Sequence, residues 1–108
     1  MNTEPIHNDP NDPLISVFVY NYDPRYLGQC LESIFNQSVL RNCEVILIDD
    51  ASSESFRDIA LEYVSRYPRR ITFQRNRKVL GPKANLRRSL WLARGRNFLT
   101  FAKLFELF

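Results

Sequence analysis

Two adjacent carboxylates, Asp49 and Asp50, directly follow an apolar run and precede Ser52 and Ser53. The run from Val45 to Ile48 shows no polar alternation, which is typical of a strand buried on both faces of a parallel sheet. Open α/β sheets bind their ligands in the crevice outside the carboxyl ends of their strands. The sequence therefore predicts a ligand site at Asp49 and Asp50. The alternative is that both only cap the next helix, with the two serines as N-caps.

Other catalytic chemistries have few candidate residues. The only histidine, His7, lies in a proline-rich tail, and the two cysteines, Cys30 and Cys43, lack metal-ligand spacing. A zinc site or a Cys-His nucleophile is therefore not predicted. Both cysteines are expected to be buried thiols in a reducing compartment. Neither a bilayer-spanning segment nor a signal peptide is predicted, so a cytoplasmic location is expected.

The positive charges are unevenly distributed along the chain. The net charge is +3, but the stretch from Arg66 to Arg96 holds eleven Lys or Arg residues and no acid. Such a stretch could attract phosphate, nucleic acid or an anionic membrane surface. A solvated helix face is an equally open interpretation.

The elements that would position the carboxylates follow from the apolar periodicity. Residues 1–13 are proline-rich and are expected to form a disordered lead-in. Strands are predicted at Leu14 to Tyr20, around Val45 to Ile48, at Ile71 to Gln74 and at Phe98 to Ala102. Helices are predicted from Asp23-Pro24 to about Gln37, from Ser53 to Pro68 and from Pro82 to Ala93, the last packing through Leu86, Leu90, Trp91 and Ala93.

This alternation predicts a single α/β domain with a mostly parallel sheet and helices on both faces. The expected strand order is 3-2-1-4, because that order creates a switch point between the first and fourth strands. The turn after the first strand contains no glycine, so a dinucleotide-binding or P-loop phosphate motif is not predicted.

Four motifs in order resemble the amino-terminal half of a family-two glycosyltransferase with the GT-A fold. They are SVFVYNYDPRYLGQCLESIFNQS, EVILIDDASSE, the loop at Leu80-Gly81, and LWLARG. The resemblance covers about residues 14–102, and it implies an incomplete, Rossmann-like domain that binds a nucleotide sugar. A response-regulator receiver also has paired acids after a buried strand, but it has them after the first strand, where this chain has Tyr-Asn.

The resemblance also implies a set of nucleotide-binding residues. The family's first loop reads Pro-x-Tyr-Asn, and this chain has Tyr20-Asn21-Tyr22-Asp23. Tyr22 would stack on the base, although it could instead be a turn aromatic that covers the end of the sheet. Asp50 would accept a hydrogen bond from the base edge. The remaining members of the implied site are Tyr20, Asp49, Gly81, Lys83 and Arg87, of which Lys83 or Arg87 could face the diphosphate or be merely solvated.

The pattern departs from the family after the fourth strand. Family members carry Asp-x-Asp or two adjacent aspartates there, which hold a divalent metal, Mn or Mg, on the sugar-nucleotide pyrophosphate. This chain continues with Lys103, Leu104 and Phe105, and Glu106 is the only nearby acid. The resemblance therefore assigns neither a metal ligand nor a catalytic base in this chain, and we expect a truncated copy with an atypical ending at residues 103–108.

The expected function is that of an inverting, hexosyltransferase-type enzyme. It would use a nucleotide-sugar donor, UDP-sugar in type, and a glycan or glycoconjugate acceptor in polysaccharide biosynthesis, and it would be inactive alone. The alternative is a non-catalytic nucleotide-binding fragment or pseudoenzyme. Nucleic acid is not an expected partner, whereas association with the inner face of the membrane through the acceptor is. Self-association is expected through an exposed apolar C-terminus formed by Phe98, Phe101, Leu104, Phe105, Leu107 and Phe108.

Overall fold

The computed structural model describes residue 13 and residues 15–20, 23–37 and 42–101. Four strands alternate with three helices. The strands are β1 (Ile15–Tyr20), β2 (Cys43–Asp50), β3 (Ile71–Asn76) and β4 (Asn97–Phe101), and the helices are α1 (Pro24–Asn36), α2 (Glu54–Arg66) and α3 (Pro82–Leu92). All pairings are parallel, in the order β3-β2-β1-β4. The predicted strand order is confirmed.

β2 is the most deeply buried element, because all eight of its residues are buried. Its odd-numbered apolar residues pack with α1 and α2, and its even-numbered ones pack on the α3 side. Because successive side chains of a strand point to opposite faces, β2 contributes residues to two separate hydrophobic cores. The carboxyl end of β2 is held between β1 and β3, since Ile48 pairs with Tyr20 and Asp50 pairs with Asn76.

α1 has the predicted start and the predicted apolar face. The carboxylate of Asp23 accepts the backbone N–H of Arg25 at 2.8 Å, and Pro24 occupies the first turn, an arrangement that satisfies or removes otherwise unpaired donors. The predicted stripe is buried at Leu27, Cys30, Leu31 and Ile34. The amphipathic period therefore orients this helix as expected.

The packing of α3 differs from the prediction. Leu86, Leu90 and Trp91 are exposed, whereas Asn85 and Ser89 are fully buried. The predicted apolar contacts of α3 are therefore wrong, except for that of Ala93, which is buried just after the helix. The reason is that the polar residues are paired. The Ser89 hydroxyl donates to the Asn85 carbonyl at 2.7 Å, and Asn85 bonds on both sides of its amide, so their burial costs little.

The amino-terminal edge of the sheet is fixed by a buried carboxylate. Glu44 accepts the Ser16 hydroxyl at 2.6 Å and both the backbone N–H and the Nε of Arg94. The Gly95 N–H donates to the Ser16 hydroxyl at 2.8 Å. A Cβ on Gly95 would lie 2.6 Å from the Ser16 nitrogen, so only glycine permits this close approach of the turn to β1.

Several predictions concern the termini and the cysteines. Both cysteines are buried and unbridged, and burial raises the pKa of the Cys43 thiol. Phe98, expected to be exposed, is half-buried, with its ring centroid 6.1 Å from that of Phe18. The lead-in at 1–12 and the ending at 102–108 lie outside the described residues. Within the described residues, every helix is too short or too polar to cross a bilayer.

Candidate functional site at the carboxyl edge of the sheet

Asp50 is the centre of a polar cluster where β1, β2 and β3 end. Its Oδ1 accepts the Asn76 Nδ2 at 3.0 Å and the Leu80 N–H at 2.8 Å. Its Oδ2 accepts the Gly81 N–H at 3.0 Å and the Tyr20 hydroxyl at 3.1 Å. One carboxylate therefore joins β1, β3 and the loop that leads into α3.

Asn76 and Asn85 support this carboxylate from behind. The Asn76 Nδ2 also donates to the Asn85 Oδ1 at 2.8 Å, and the Asn85 Nδ2 donates to the Gly81 carbonyl at 2.8 Å. Gly81 itself has a φ of 91°, a conformation that L-residues with side chains avoid. The turn before α3 is thus fixed by the backbone conformation of Gly81 and by the hydrogen-bonded side chains of Asp50, Asn76 and Asn85.

The environment keeps Asp50 ionised although it is only 3% exposed. Burial alone would raise its pKa, but the hydrogen bonds from Leu80, Asn76 and Gly81 outweigh burial and lower the pKa from 3.8 to about 2. Hydrogen bonds to the charged form are the general cause of such a depression. A fixed negative charge therefore lies just beneath this edge at neutral pH.

Asp49 has a different role from its neighbour. It is fully buried, its Oδ1 accepts the backbone N–H of Ser52 at 2.8 Å as well as the Ser52 hydroxyl, and its Oδ2 lies 3.5 Å from the Arg75 Nε. Asp49 thus stabilises the turn after β2. α2 begins only at Glu54, and its N-cap, Ser53, makes no side-chain capping bond. The hydrogen bonds described above for the two aspartates therefore go to the turn after β2 and the loop before α3 rather than to the first turn of α2.

A cavity of about 460 Å³ opens beside this turn, lined by Ala51, Ser52, Arg75, Asn76 and Arg77. Ala51 has a φ of 61°, a left-handed conformation that costs an L-residue roughly 1–2 kcal/mol. Such strained positions cluster at ligand sites. Arg75 is held there by Glu54 at 2.7 Å, while the exposed Arg77 adds a second positive charge to the rim.

The sequence-predicted residues divide into three groups. Tyr20, Asp50 and Gly81 are in direct contact, and Asp49 lies next to them in β2. Lys83 and Arg87 are exposed on α3, with Arg87 about 6 Å further from the rim along the helix axis. Tyr22 lies outside the described residues.

Sequence reasoning did not include Asn76, Asn85, Leu80, Arg75 or Arg77 in the site. Leu80 acts through its backbone N–H, which side-chain chemistry cannot reveal. Asn85 is recognisable once the orientation of α3 is known, because a polar residue on the side of the helix that faces the sheet must find hydrogen-bond partners there. Arg75 and Arg77 belong to the basic stretch, and only the end of β3 distinguishes them from its other members.

The residues described hold no group of three or more His, Cys, Asp or Glu side chains that could bind a metal ion. Asp49 and Asp50 are adjacent, but their oxygens are directed to Ser52, Arg75 and the loop before α3. The described residues at this edge therefore do not fit a divalent metal.

The fold and the geometry together define an α/β protein whose candidate site lies where parallel strands end and a helix begins. The chain belongs to glycosyl transferase family 2, since the model of that family matches residues 15–102. This is the family that the four motifs resemble.

Two curated relatives illustrate the range of the match. An uncharacterized glycosyltransferase of Methanocaldococcus jannaschii is 33% identical over 86 residues, which are 78% of this chain and 29% of the relative. The poly(ribitol-phosphate) beta-glucosyltransferase of Bacillus spizizenii is 30% identical over 86 residues, which are 79% of this chain and 13% of the relative. The chain thus spans less than a third of either relative.

A solved structure supports the fold. The mannosyltransferase PcManGT from Pyrobaculum calidifontis, in complex with GDP-Man and Mn2+, superposes with a TM-score of 0.66 and 22% identity over 76% of this chain and 25% of that one. Together with the strand order, this likeness confirms the predicted fold, the amino-terminal part of a GT-A domain.

Proposed function

We propose that this chain is the nucleotide-sugar-binding part of a glycosyltransferase, and that the nucleotide binds at the carboxyl edge of β1, β2 and β3. The observation that carries the proposal is the ionised Asp50 at the end of the central strand, beside a cavity of about 460 Å³ with two arginines on its rim. A buried carboxylate can accept an N–H from a base edge, and nearby arginines suit a diphosphate. The family membership and the bound GDP-Man of the solved neighbour support the same ligand class.

The roles of individual residues follow from their positions. Asp50 accepts the N–H of a uracil-type base, and Tyr22 stacks on that base. Tyr20 is two positions before Tyr22 in the sequence, and its hydroxyl donates to Asp50. Gly81 holds the loop that borders the site. We assign the diphosphate to Arg77, which lines the cavity, and to Lys83 at the start of α3. Asp49 acts indirectly, by fixing the turn at Ser52, and Arg87 is the most distant candidate.

The complete activity that we propose is hexosyl transfer with inversion, from a UDP-sugar to a glycan or glycoconjugate acceptor in polysaccharide biosynthesis. A divalent metal would serve the intact family member, as Mn2+ accompanies GDP-Man in the solved neighbour. A cytoplasmic location at the inner face of the membrane is consistent with two buried, unbridged cysteines. The donor-binding step is the part that the described residues support.

The second candidate is a non-catalytic nucleotide-binding fragment. It is favoured by one observation: the described residues include the candidate base-binding carboxylate but no group of three or more side chains that could bind a metal ion. Under either candidate, we expect the 108-residue chain alone to bind a nucleotide weakly and to transfer no sugar.

Titration calorimetry with UDP, with and without Mn2+, tests the proposal. We expect weak binding to the wild-type chain that is indifferent to the metal, and at least a tenfold loss in Asp50→Asn, because the amide places a donor where the base needs an acceptor. Glu62→Gln, the same chemical change on the exposed face of α2, is the matched control and should bind normally. Equal binding by wild type and Asp50→Asn would contradict the proposal. Measurable sugar transfer by the chain alone would contradict the expectation that it transfers no sugar.

A further inference from the structure

The Asp50 carboxylate has no unused acceptor position. Two carboxylate oxygens offer about four lone-pair sites in all, and four protein donors occupy them: Asn76 Nδ2, the Leu80 N–H, the Gly81 N–H and the Tyr20 hydroxyl. A ligand N–H can therefore reach this carboxylate only if one of those donors leaves.

Three of the four donors are fixed by their surroundings. The N–H groups of Leu80 and Gly81 belong to a turn whose carbonyl at Gly81 is held by the Asn85 amide. Asn76 is buried and gives its second amide hydrogen to Asn85. Displacing any of the three would break the cluster at more than one bond.

The Tyr20 hydroxyl is the exchangeable donor. Its bond to Asp50, at 3.1 Å, is the longest of the four, and the Tyr20 side chain is half-buried at the end of β1. The phenol interacts through its hydroxyl with the side chains of Asp50 and Asn85, so its departure breaks no backbone bond. Burial and the hydrogen bond to Asp50 raise the pKa of Tyr20, so the phenol remains protonated and able to donate at neutral pH.

We propose that Tyr20 is a specificity-determining gate on Asp50: its hydroxyl occupies the fourth acceptor position in the free protein, and a nucleotide base gains that position by displacing it. The inference rests on the proposed function, since it names how the same site admits its ligand. A base with an N–H donor on its edge replaces the bond that it breaks. A ligand without such a donor leaves the carboxylate undersatisfied, which costs binding free energy.

The decisive variant is Tyr20→Phe, which keeps the ring against Phe18 and removes only the hydroxyl. The gate predicts that UDP binds this variant about two- to tenfold more tightly than wild type, because an intramolecular hydrogen bond with a net value of about 0.5–1.5 kcal/mol no longer has to be broken. Tyr67→Phe, the same change beyond the far end of α2, should leave the affinity unchanged. Weaker binding of UDP by Tyr20→Phe would overturn the gate.

Nuclear magnetic resonance on the full chain supplies a readout that a merely structural role would not move. On addition of UDP, the Tyr20 ring carbon that bears the hydroxyl should shift, while the Leu80 and Gly81 amide protons should keep their hydrogen-bonded shifts. Binding of UDP without a change at Tyr20, or with loss of the two amide bonds, would refute the gate and leave the proposed function standing. If neither UDP nor GDP binds wild type or variant, the gate and the proposed function fall together.

Discussion

Asp50 combines deep burial with a full negative charge, two properties that normally oppose each other. Removing a carboxylate from water costs several kcal/mol unless hydrogen bonds replace the lost hydration. Here four donors replace it, two of them backbone N–H groups from one turn. The negative charge of Asp50, which we propose accepts a base edge, therefore also fixes the loop at Leu80 and Gly81.

The depressed pKa of Asp50 makes one contribution to stability depend on pH. The pKa falls from 3.8 to about 2 on folding, so the stabilisation is fully present above the unfolded-state pKa and is lost as the pH falls through about 2. A shift of that size corresponds to about 2 kcal/mol. We expect the difference in unfolding free energy between wild type and Asp50→Asn to shrink by that amount between pH 6 and pH 2, as measured by urea denaturation.

A carboxylate outside the cluster provides the comparison. Glu62 is exposed on α2, so Glu62→Gln should give a stability profile parallel to that of wild type across the same pH range. A constant difference between wild type and Asp50→Asn at every pH would show that Asp50 titrates alike in the folded and unfolded chains.

α3 shows what periodicity can and cannot predict. The α1 stripe was predictable because its apolar residues are the ones that pack. In α3, Leu86, Leu90 and Trp91 are exposed and the fully buried positions hold Asn85 and Ser89, because the inner face contacts the polar cluster around Asp50 and Gly81. The strand order was predictable from the succession of strands and helices and the expected switch point, and the location of Asp50 from the uninterrupted apolar run before it. The backbone donors of Leu80 and Gly81 were not predictable.

Because α3 buries polar residues and exposes apolar ones, substitution of a polar residue in it should reduce stability more than substitution of an apolar one. Asn85→Ala should lower the unfolding free energy by about 1–3 kcal/mol, since it leaves an Asn76 amide hydrogen without a partner and removes one of the two N–H groups that the Gly81 carbonyl accepts. Leu90→Ala, at a position 52% exposed, should cost no more than about 0.5 kcal/mol. Urea denaturation of both variants measures the difference, and a larger loss for Leu90→Ala would mean that the apolar face of α3 is packed.

At the scale of the whole molecule, the basic half of the chain is divided between both edges of the sheet: Arg70 and Arg94 lie at the amino-terminal edge, and Arg75 and Arg77 lie at the carboxyl edge. Eleven Lys or Arg residues and no acid lie between Arg66 and Arg96, and this stretch includes β3, α3 and the loop that borders the site. Arg75 and Arg77 line the cavity itself. The resulting field favours a ligand with a diphosphate over an uncharged nucleoside.

Salt should therefore separate the phosphate contribution from the base contribution. The affinity for UDP is expected to fall severalfold between about 0.01 M and 1 M NaCl, because the Debye length shortens from about 30 Å to about 3 Å. The affinity for uridine, measured under the same conditions, should change little. Equal salt dependence for both ligands would show that the basic residues do not contribute to binding at the proposed site.

The link between Gly95 and Ser16 carries a consequence for how the chain acquires its structure. The two residues are 79 positions apart, and β4 joins the described sheet by pairing with β1, the first strand made. During synthesis, β1 can pair with β2 long before its other edge finds a partner, so that edge remains open while α2, β3 and α3 are added. Loop-closure entropy makes the most non-local pairing the slow one, and an open strand edge is where nascent chains misassociate. We therefore expect the docking of β4 to be a late folding step, after which this edge of β1 is no longer exposed to other chains.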